Sequence, residues 1–440
     1  MNRENIKRAR THIVFLFALM SGSVLIYFLN GIDMETKGYS KRDAMELTAP
    51  SFDMSTQKLS EKELKWAKTA WKYFEHNYQD KTGLVNSTNN FPSTTLWDTG
   101  NYLYALISAY RLEIIDFALF EYRINKLLTS LEKIKLYEGI LPNKVYNTST
   151  LKMTNYANVI TPKGIGWSAI DIGRLLSPLF FIKKHYGQYS QRIHKLLLKW
   201  NFNKLTNKGQ LQGCITENKQ KLCLQEGRLG YEQYTANVFS LFAVGLYSSM
   251  KYTSYLGFKS IYDIHIPYDI RDKDNFGANN YVLMEPYILD GLEFGWDYHS
   301  KEFSYRLYQA QEERYKQTGI LTAVTEDHID QKPYFIYNSI FVNKKEWSAI
   351  NEKGEEFNAL KTLSTKASFG LHALYNTAYT QKLMDKIAPL QSEEGWYAGL
   401  YEKDWRINKA ITCNTNAIIL ESLLYQTEGI LLKTKKSEGK

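Results

Sequence analysis

QAQEERYKQTGILTAVTEDHIDQKPYFIYNSI, residues 309–340, joins a helix end to an unusual loop. Good helix formers run to Gln317, and Gly319 stands where a left-handed helix cap is expected. The loop combines three acids with three aromatic rings, namely Glu326, Asp327, Asp330, Tyr334, Phe335 and Tyr337. Acids transfer protons, flat rings offer a surface for sugars, and loops on a rigid scaffold display such groups. We interpret this loop as part of a functional site. The alternative is a solvated acidic turn with its aromatic residues in the core.

The rest of the chain predicts a series of about a dozen helical segments and few strands. The first begins with a capping box, in which Ser60 is followed by Glu63, and it carries apolar residues on one face. By contrast, the segments SPLFFI (177–182) and VFSLFAVGL (238–246) are hydrophobic nearly all round and must be covered on all sides. Alternating inner and outer helices would form a closed ring, with the loops before the inner helices meeting on one face. An irregular helical bundle is the alternative.

Composition indicates a globular chain with an excess of aromatic residues. Of 440 residues, 44% are hydrophobic and 23% charged, which argues against disorder. Aromatic residues reach 14%, with 33 Tyr and 9 Trp, an excess that suits a wide carbohydrate-binding cleft as well as a core. The net charge of +9 is spread along the chain without a nucleic-acid motif. We therefore expect no nucleic-acid partner, whereas attraction to anionic polysaccharide or lipid head groups stays open.

The N-terminus has the pattern of a membrane anchor. A basic tail (1–10) precedes an uncharged stretch (11–32) that is long enough to cross a bilayer as a helix. Positive charge before the stretch predicts a cytoplasmic N-terminus in the inner membrane and an exported, periplasmic body. A tether (33–58), the main domain (59–432) and a basic tail (433–440) would follow. A cleaved signal peptide is the competing interpretation, although no small-x-small site closes the apolar run.

Cysteine usage is compatible with export. Cys214 and Cys223 bracket a polar segment that fits a β-hairpin closed by a disulfide. Two free thiols are the alternative. Cys413 lies in an apolar run, where we expect it to be unpaired and buried.

A ring beside an acid recurs at the start of predicted inner helices. It occurs as Trp97 with Asp98, as Trp167 with Asp171, and in EGRLGYEQY (226–234). The helix dipole stabilises a carboxylate at such a position, which suits a base or an acceptor of sugar hydroxyls. Asp98 could instead serve only as a cap, and Asp171 could pair with Arg174 one turn further on.

Glycosidases need one protonated and one ionised carboxyl group. Glu232, flanked by Tyr231 and Tyr234, is a candidate for the acid with a raised pKa. Glu326 and Asp327 are further candidates, because adjacent acids cannot both ionise cheaply when shielded from water.

Other chemistries lack support in the sequence. There is no HExxH, CxxC, Walker or GxSxG motif, and DKDNFG lacks the spacing of a calcium loop. We expect no cofactor and no metal. His328, next to acids, is a weak candidate for a cation ligand.

Five motifs together resemble a bacterial family of unknown function: WDTGNYLYAL (97–106), GWSAIDIGRLL (166–176), EGRLGYEQY (226–234), AQEERYKQTGILTAVTEDHID (310–330) and GWYAGLYE (395–402). That family is similar in fold to glucoamylase-like glycoside hydrolases, and related domains accompany cyclic glucan synthases. The resemblance spans residues 59–432. It implies an all-α fold, an α/α toroid of six helical hairpins, to which we add the small β-hairpin insertion and the preceding transmembrane helix. It transfers no mechanism to individual residues.

These observations predict a membrane-anchored, periplasmic glycoside hydrolase that acts on an exported polysaccharide or glucan. The candidate catalytic residues are Glu232, Glu326, Asp327, Asp98 and Asp171. The candidate substrate-binding residues are Trp97, Trp167, Arg174, Arg228, Tyr231, Tyr234, Tyr337, Trp396 and Tyr397. The alternatives are a polysaccharide-binding accessory of a synthesis or export system and a polysaccharide lyase. Neither sugar nor linkage can be derived from these residues.

Overall fold

A computed structural model describes residues 47–50, 52, 56–217, 220–252 and 254–433. The compact unit Ala49–Lys440 contains every helix and strand reported below. The predicted transmembrane helix (11–32), both basic tails apart from Lys433, and most of the tether lie outside the described residues. Of the helices in the described part, none combines the length and apolar character needed to cross a membrane.

The described residues form twelve α-helices, close to the number that the sequence predicts. They are α1 Glu61–His76, α2 Leu96–Arg111, α3 Phe117–Lys133, α4 Ala169–His185, α5 Ser190–Leu197, α6 Tyr231–Ser240, α7 Lys273–Phe276, α8 Glu285–Phe294, α9 Tyr298–Thr318, α10 Thr365–Tyr375, α11 Ala378–Ile387 and α12 Cys413–Glu428. Short 3-10 segments occur at Gly187–Tyr189, Phe202–Leu205, Asn358–Leu360 and Ala388–Leu390.

The even-numbered helices form a closed inner ring. Each of α2, α4, α6, α8, α10 and α12 packs against the next, and α12 packs back against α2. Helix α1 lies outside α2 and α12, α3 lies outside α2, and α5, α9 and α11 cover α4, α8 and α10. The alternation of inner and outer helices follows the predicted difference between all-round apolar and amphipathic segments.

Helix ends follow the predicted local signals. Ser60 and Glu63 form the reciprocal capping box of α1, and the Ser60 N–H donates to the Glu63 carboxylate at 2.7 Å. Gly319 ends α9 in the left-handed conformation, with φ of 73°.

The predicted buried helix through residues 238–246 is shorter than expected. Helix α6 ends at Ser240, whose hydroxyl donates to the Asn237 carbonyl at 2.6 Å. Ala243 then adopts a positive φ of 59°, and residues 241–245 are partly or fully exposed. The hydroxyl competes with the helical hydrogen-bond pattern, so hydrophobicity alone does not extend the helix.

The expectation of an all-α fold with few strands and one small β-hairpin holds for the helical toroid and fails for the strands. The described residues contain nineteen short strands: β1 Ser93–Thr95, β2 Leu136–Tyr137, β3 Leu141–Pro142, β4 Val145–Asn147, β5 Met153–Thr154, β6 Gly166–Trp167, β7 Thr206–Asn207, β8 Gln210–Glu217, β9 Gln220–Gln225, β10 Leu256–Ile261, β11 Ile264–Asp269, β12 Glu326–His328, β13 Phe335–Val342, β14 Lys345–Ile350, β15 Thr362–Ser364, β16 Gln391–Ser392, β17 Gly395–Trp396, β18 Gly399–Tyr401 and β19 Ile407–Asn408. Many have two or three residues, too few to show an alternating pattern.

These strands tie together the loops that precede the inner helices. The sheet β15-β18-β19 joins the approach to α10 with the approach to α12, and β12-β13-β14 contains the acidic loop of residues 326–330. Backbone pairing of Thr88 with Thr412 links the approaches to α2 and α12. Segments far apart in sequence therefore meet at the end of the ring where the inner helices begin. We call this end the mouth.

Of the two alternatives for Cys214 and Cys223, a disulfide or two free thiols, the structure contains the disulfide. Cys214 and Cys223 face each other across the β8-β9 ladder and are joined by a disulfide. Cys413 is a buried free thiol at the start of α12.

Candidate active site

Two carboxyl groups stand in the first turn of neighbouring inner helices. Thr95 caps α2 and Ser168 caps α4, and each hydroxyl accepts the backbone N–H three residues on, that of Asp98 or Asp171. The Thr95 hydroxyl also donates to the Asp98 carboxylate at 3.1 Å. Both acids thus belong to the N-terminal mouth, where the helix dipole acts on them.

Asp171 lies within a charged group at this mouth. Glu226 accepts the backbone N–H groups of Ala169 at 2.6 Å and Ile170 at 3.4 Å, and its other oxygen lies 3.9 Å from the Lys144 ammonium. Burial, and next the Glu226 carboxylate, raise the pKa of Asp171 to about 7, against the opposing effect of Lys144. Asp171 remains partly exposed. It can therefore hold a proton near neutral pH and reach a ligand.

A third carboxyl group, that of Glu326, belongs to β12. The Tyr231 hydroxyl donates to Glu326 Oε1, and the Thr325 hydroxyl donates to Oε2 at 2.9 Å. The Tyr231 ring contacts the Trp97 ring edge to face, with centroids 5.6 Å apart. Burial raises the pKa of Glu326, and the Lys366 ammonium opposes that rise. Tyr231 and Trp97 are both partly exposed, whereas Glu326 is only 7% exposed. The acid is therefore buried and is linked to this ring surface through the Tyr231 hydroxyl.

A buried lysine connects several acids. Lys366, at the start of α10, pairs with Glu285 Oε2, while Asn414 donates to Glu285 Oε1 at 3.0 Å. Lys366 also acts electrostatically on Asp98, Glu326 and Asp327. This network brings three predicted acids into one electrostatic environment.

Asp327 lies deeper than Glu326, although the two are adjacent in sequence. It is 2% exposed and accepts hydrogen bonds from the Thr362 hydroxyl at 3.3 Å and the Ser364 hydroxyl at 3.2 Å. Burial raises its pKa to about 8. Strand alternation explains the difference, because neighbouring side chains point to opposite faces.

Tyr337 contributes a partly exposed ring next to Glu326. It lies opposite Glu326 in the β12-β13 ladder and stacks on Tyr281 with centroids 3.8 Å apart. A paired, rigid aromatic surface of this kind can support a sugar ring.

Glu232 also stands in the first turn of an inner helix, α6, but its carboxylate is taken up by protein partners. Its carboxylate binds the Arg271 guanidinium at 2.7 Å and the Ser249 hydroxyl at 2.9 Å, and it is 3% exposed. Asp269 binds the same guanidinium. These partners favour a structural role, in which a buried ion pair fixes the start of α6.

Arg174 and Tyr234 lie below the mouth. Arg174 is 0% exposed and pairs with Glu293 and, at 2.7 Å, with Glu421. Tyr234 is 1% exposed and donates to Glu293 at 2.9 Å. The alternative pairing of Asp171 with Arg174 does not form, because Arg174 reaches the ring interior.

The remaining predicted binding residues are dispersed. Trp167 is 3% exposed beneath the Lys221 ammonium, and Trp396 is 0% exposed between Trp66 and Phe369. Arg228 donates to the Arg271 carbonyl at 3.0 Å and is partly exposed. Tyr397 is partly exposed, and its carbonyl accepts from the Thr365 hydroxyl. Trp396 is thus a core residue, and so is Trp167 despite its ring-and-acid sequence context.

Within the residues that the structure describes, no group of three or more His, Cys, Asp and Glu side chains is placed to hold a metal ion. His328 packs against the edge of the Phe335 ring, with centroids 4.9 Å apart. Burial and the Lys366 charge lower the pKa of His328 to about 4.

Three charged residues of the mouth are absent from the predicted sites: Glu226, Lys144 and Lys366. Glu226 is the first residue of the ring-and-acid motif EGRLGYEQY (226–234). Its position in that motif could have identified it as a site residue. No motif in the sequence around Lys144 or Lys366 indicates a site residue, because the acids that they contact are distant in the chain.

The ring of paired helices and the acid-lined mouth define a glucoamylase-like α/α toroid. An endo-β-1,2-glucanase from Chitinophaga pinensis, solved with sophorotriose and glucose, matches with a TM-score of 0.62 at 13% identity over 85% of this chain and 94% of that chain. A glucoamylase-like protein from Bacteroides caccae gives 0.62 at 11% identity over 84% and 94%. An endo-β-1,2-glucanase variant from Talaromyces funiculosus, solved with β-1,2-glucan, gives 0.55 at 10% identity over 90% and 87%.

The family is identified by sequence. Residues 65–429 match the model of the family described as protein of unknown function, DUF3131, and the chain belongs to that family. No curated protein matches the chain significantly. The predicted likeness to a family of unknown function with a glucoamylase-like fold is confirmed.

Proposed function

We propose that this protein is a glycoside hydrolase that cleaves a glucan by carboxylate acid-base catalysis. The observation that carries the proposal is Asp171, a partly exposed residue whose carboxyl pKa is raised by burial to about 7 at a mouth that also holds Glu326. Such an acid is about half protonated at pH 7 and can donate a proton to a departing glycosidic oxygen.

The two carboxyl groups have different partners and therefore different proposed roles. Asp171, beside the Glu226 carboxylate, is the proton donor. Glu326, which accepts hydrogen bonds from Tyr231 and Thr325, is the second catalytic carboxylate. Asp98 and Asp327 shape the charge around this pair. Trp97, Tyr231 and Tyr337 supply ring surfaces for the sugar.

The proposed substrate is a β-1,2-linked glucan. Two of the solved structures that share the fold are endo-β-1,2-glucanases, and one was solved with sophorotriose. At 10–13% identity these likenesses show the fold alone. β-1,2-Glucan and its oligosaccharides are therefore the first compounds to test.

The proposed location is the periplasmic side of the inner membrane, with the stretch of residues 11–32 as a single-pass anchor. Its support is the basic-then-apolar N-terminal pattern. The Cys214–Cys223 disulfide is compatible with an oxidising compartment. In that setting a polysaccharide synthesis or export system would be a partner.

Incubation of the purified chain with a panel of glucans and bacterial polysaccharides tests the proposal. We expect new reducing ends from β-1,2-glucan, and their loss in Asp171→Asn and Glu326→Gln. Binding without products would instead identify a polysaccharide-binding accessory. Products that absorb in the ultraviolet would identify a lyase, because elimination leaves a double bond.

The pH profile of kcat/KM should respond in opposite directions to two substitutions near Asp171. The proton donor must be protonated, so activity falls as pH rises through about 7. Glu226→Gln removes a charge that raises the Asp171 pKa, and the alkaline limb should move to lower pH by roughly one unit. Lys144→Met removes a charge that lowers it, and the limb should move to higher pH. Shifts in the same direction would contradict this assignment.

A further inference from the structure

The loop between β5 and β6 begins with a rigid turn, which we call the lip (residues 155–160). The Asn155 side-chain oxygen accepts the backbone N–H groups of Ala157 at 3.1 Å and Val159 at 2.9 Å. The backbone of Ile160 pairs with that of Thr154. Asn155 thereby fixes the turn through its own side chain.

This rigid turn displays apolar side chains to solvent. Tyr156 is 59% exposed, Val159 58% and Ile160 53%. Three such side chains on one short turn make its exposed surface largely apolar, whereas single exposed apolar residues are ordinary. A turn that holds this surface in place limits the conformational entropy lost when a ligand binds.

Tyr156 also belongs to the mouth of the ring. The lip follows β5 in the sheet β1-β4-β5, and β1 leads directly into α2. Tyr156 interacts electrostatically with Asp171, Glu226, Lys144 and Tyr337. The surrounding protein raises its pKa to about 12, so the hydroxyl is a donor at neutral pH. The Tyr156 side chain, at 59% exposure, is available to a ligand at this end of the ring.

We propose that the lip is a sugar-binding subsite adjoining Asp171, in which the Tyr156 ring stacks on a glucose unit and its hydroxyl donates to a sugar oxygen. The inference rests on the proposed function and deepens it. A subsite beyond the acid pair favours a chain of several glucose units over a disaccharide, because only the longer chain spans both places.

Binding by calorimetry to sophorose, sophorotriose and longer β-1,2-gluco-oligosaccharides tests the lip. The Asp171→Asn chain is the parent, which prevents turnover, and Tyr156→Ala is added to it. We expect Kd for the longer oligosaccharides to rise about tenfold, with a smaller rise for sophorose. Tyr156→Phe should retain much of the affinity, since it keeps the ring.

Tyr122→Ala is the matched control, because Tyr122 is 49% exposed on the outer helix α3. Equal affinities of the Tyr156 and Tyr122 variants at every chain length, or no binding by the parent, would overturn the lip proposal. Length-dependent loss of binding in a chain whose wild type hydrolyses nothing would overturn the hydrolase and leave the lip standing. Hydrolysis by the wild type, together with unchanged binding in Tyr156→Ala, would support the hydrolase and overturn the lip.

Discussion

Asp171→Asn should lower kcat on the glucan substrate by about 10²–10⁴-fold, the range for loss of a general acid. Asparagine keeps the size of the side chain and has no proton to donate to the leaving oxygen. Oligosaccharide binding should persist, because Trp97, Tyr231 and Glu326 are unchanged. Steady-state kinetics and calorimetry measure the two effects separately.

Asp80→Asn is the control for this prediction, since Asp80 is an exposed carboxyl group in the turn after α1. It should leave kcat unchanged. If Asp171→Asn retained wild-type kcat while hydrolysis was real, the proton donor would have to be another acid of the mouth, and the assignment to Asp171 would be refuted.

Arg174→Met should lower the free energy of unfolding by about 3–5 kcal/mol, as expected when one partner of a buried ion pair is removed. The arginine binds Glu293 and Glu421 at 0% exposure and also donates to Asn101 at 2.7 Å. Without it, two carboxyl groups stay buried without their cation. Arg174→Lys should not restore the lost stability, because an ammonium lacks the planar arrangement of donors with which a guanidinium binds several acceptors.

Arg192→Met is the comparison for stability. Arg192 pairs with Glu132 at 2.6 Å, but its side chain is 28% exposed, and such pairs contribute at most about 1 kcal/mol. Denaturant unfolding of both variants should show the large loss only for Arg174. Similar losses would mean that the buried network does not stabilise the ring as described.

The sequence predicted the helical framework well because local signals determine it. The capping box of Ser60 and Glu63 and the left-handed Gly319 act within one turn of their own helices. Hydrophobic patterning likewise separated inner from outer helices. Short strands such as β6 escaped prediction, since their partners lie about fifty residues away in the chain.

The candidate site was predictable only in part. A ring beside an acid identified Trp97 and Asp171, which are partly exposed at the mouth, but the same pattern selected Asp98, Glu232 and Trp167, which are buried. Burial depth depends on which side of a helix or strand faces the ring interior. Motif composition does not encode that choice.

Lys366 shows a second limit on predicting the site from sequence. Its ammonium pairs with Glu285 and acts on Glu326 and Asp98, three acids from three different elements, α8, β12 and α2. Because these partners are distant in the chain, the sequence around Lys366 contains no motif that identifies its role. Only the assembled ring reveals it.

A crystal structure of the Asp171→Asn chain with a β-1,2-gluco-oligosaccharide would test the shared mouth most directly. The account predicts a glycosidic oxygen within hydrogen-bonding distance of the amide group that replaces the Asp171 carboxyl group. It also predicts sugar rings against Trp97, Tyr231 and Tyr156, with Glu326 facing the same glycosidic bond. An oligosaccharide bound elsewhere on the molecule, out of reach of both Glu326 and the substituted side chain, would contradict it.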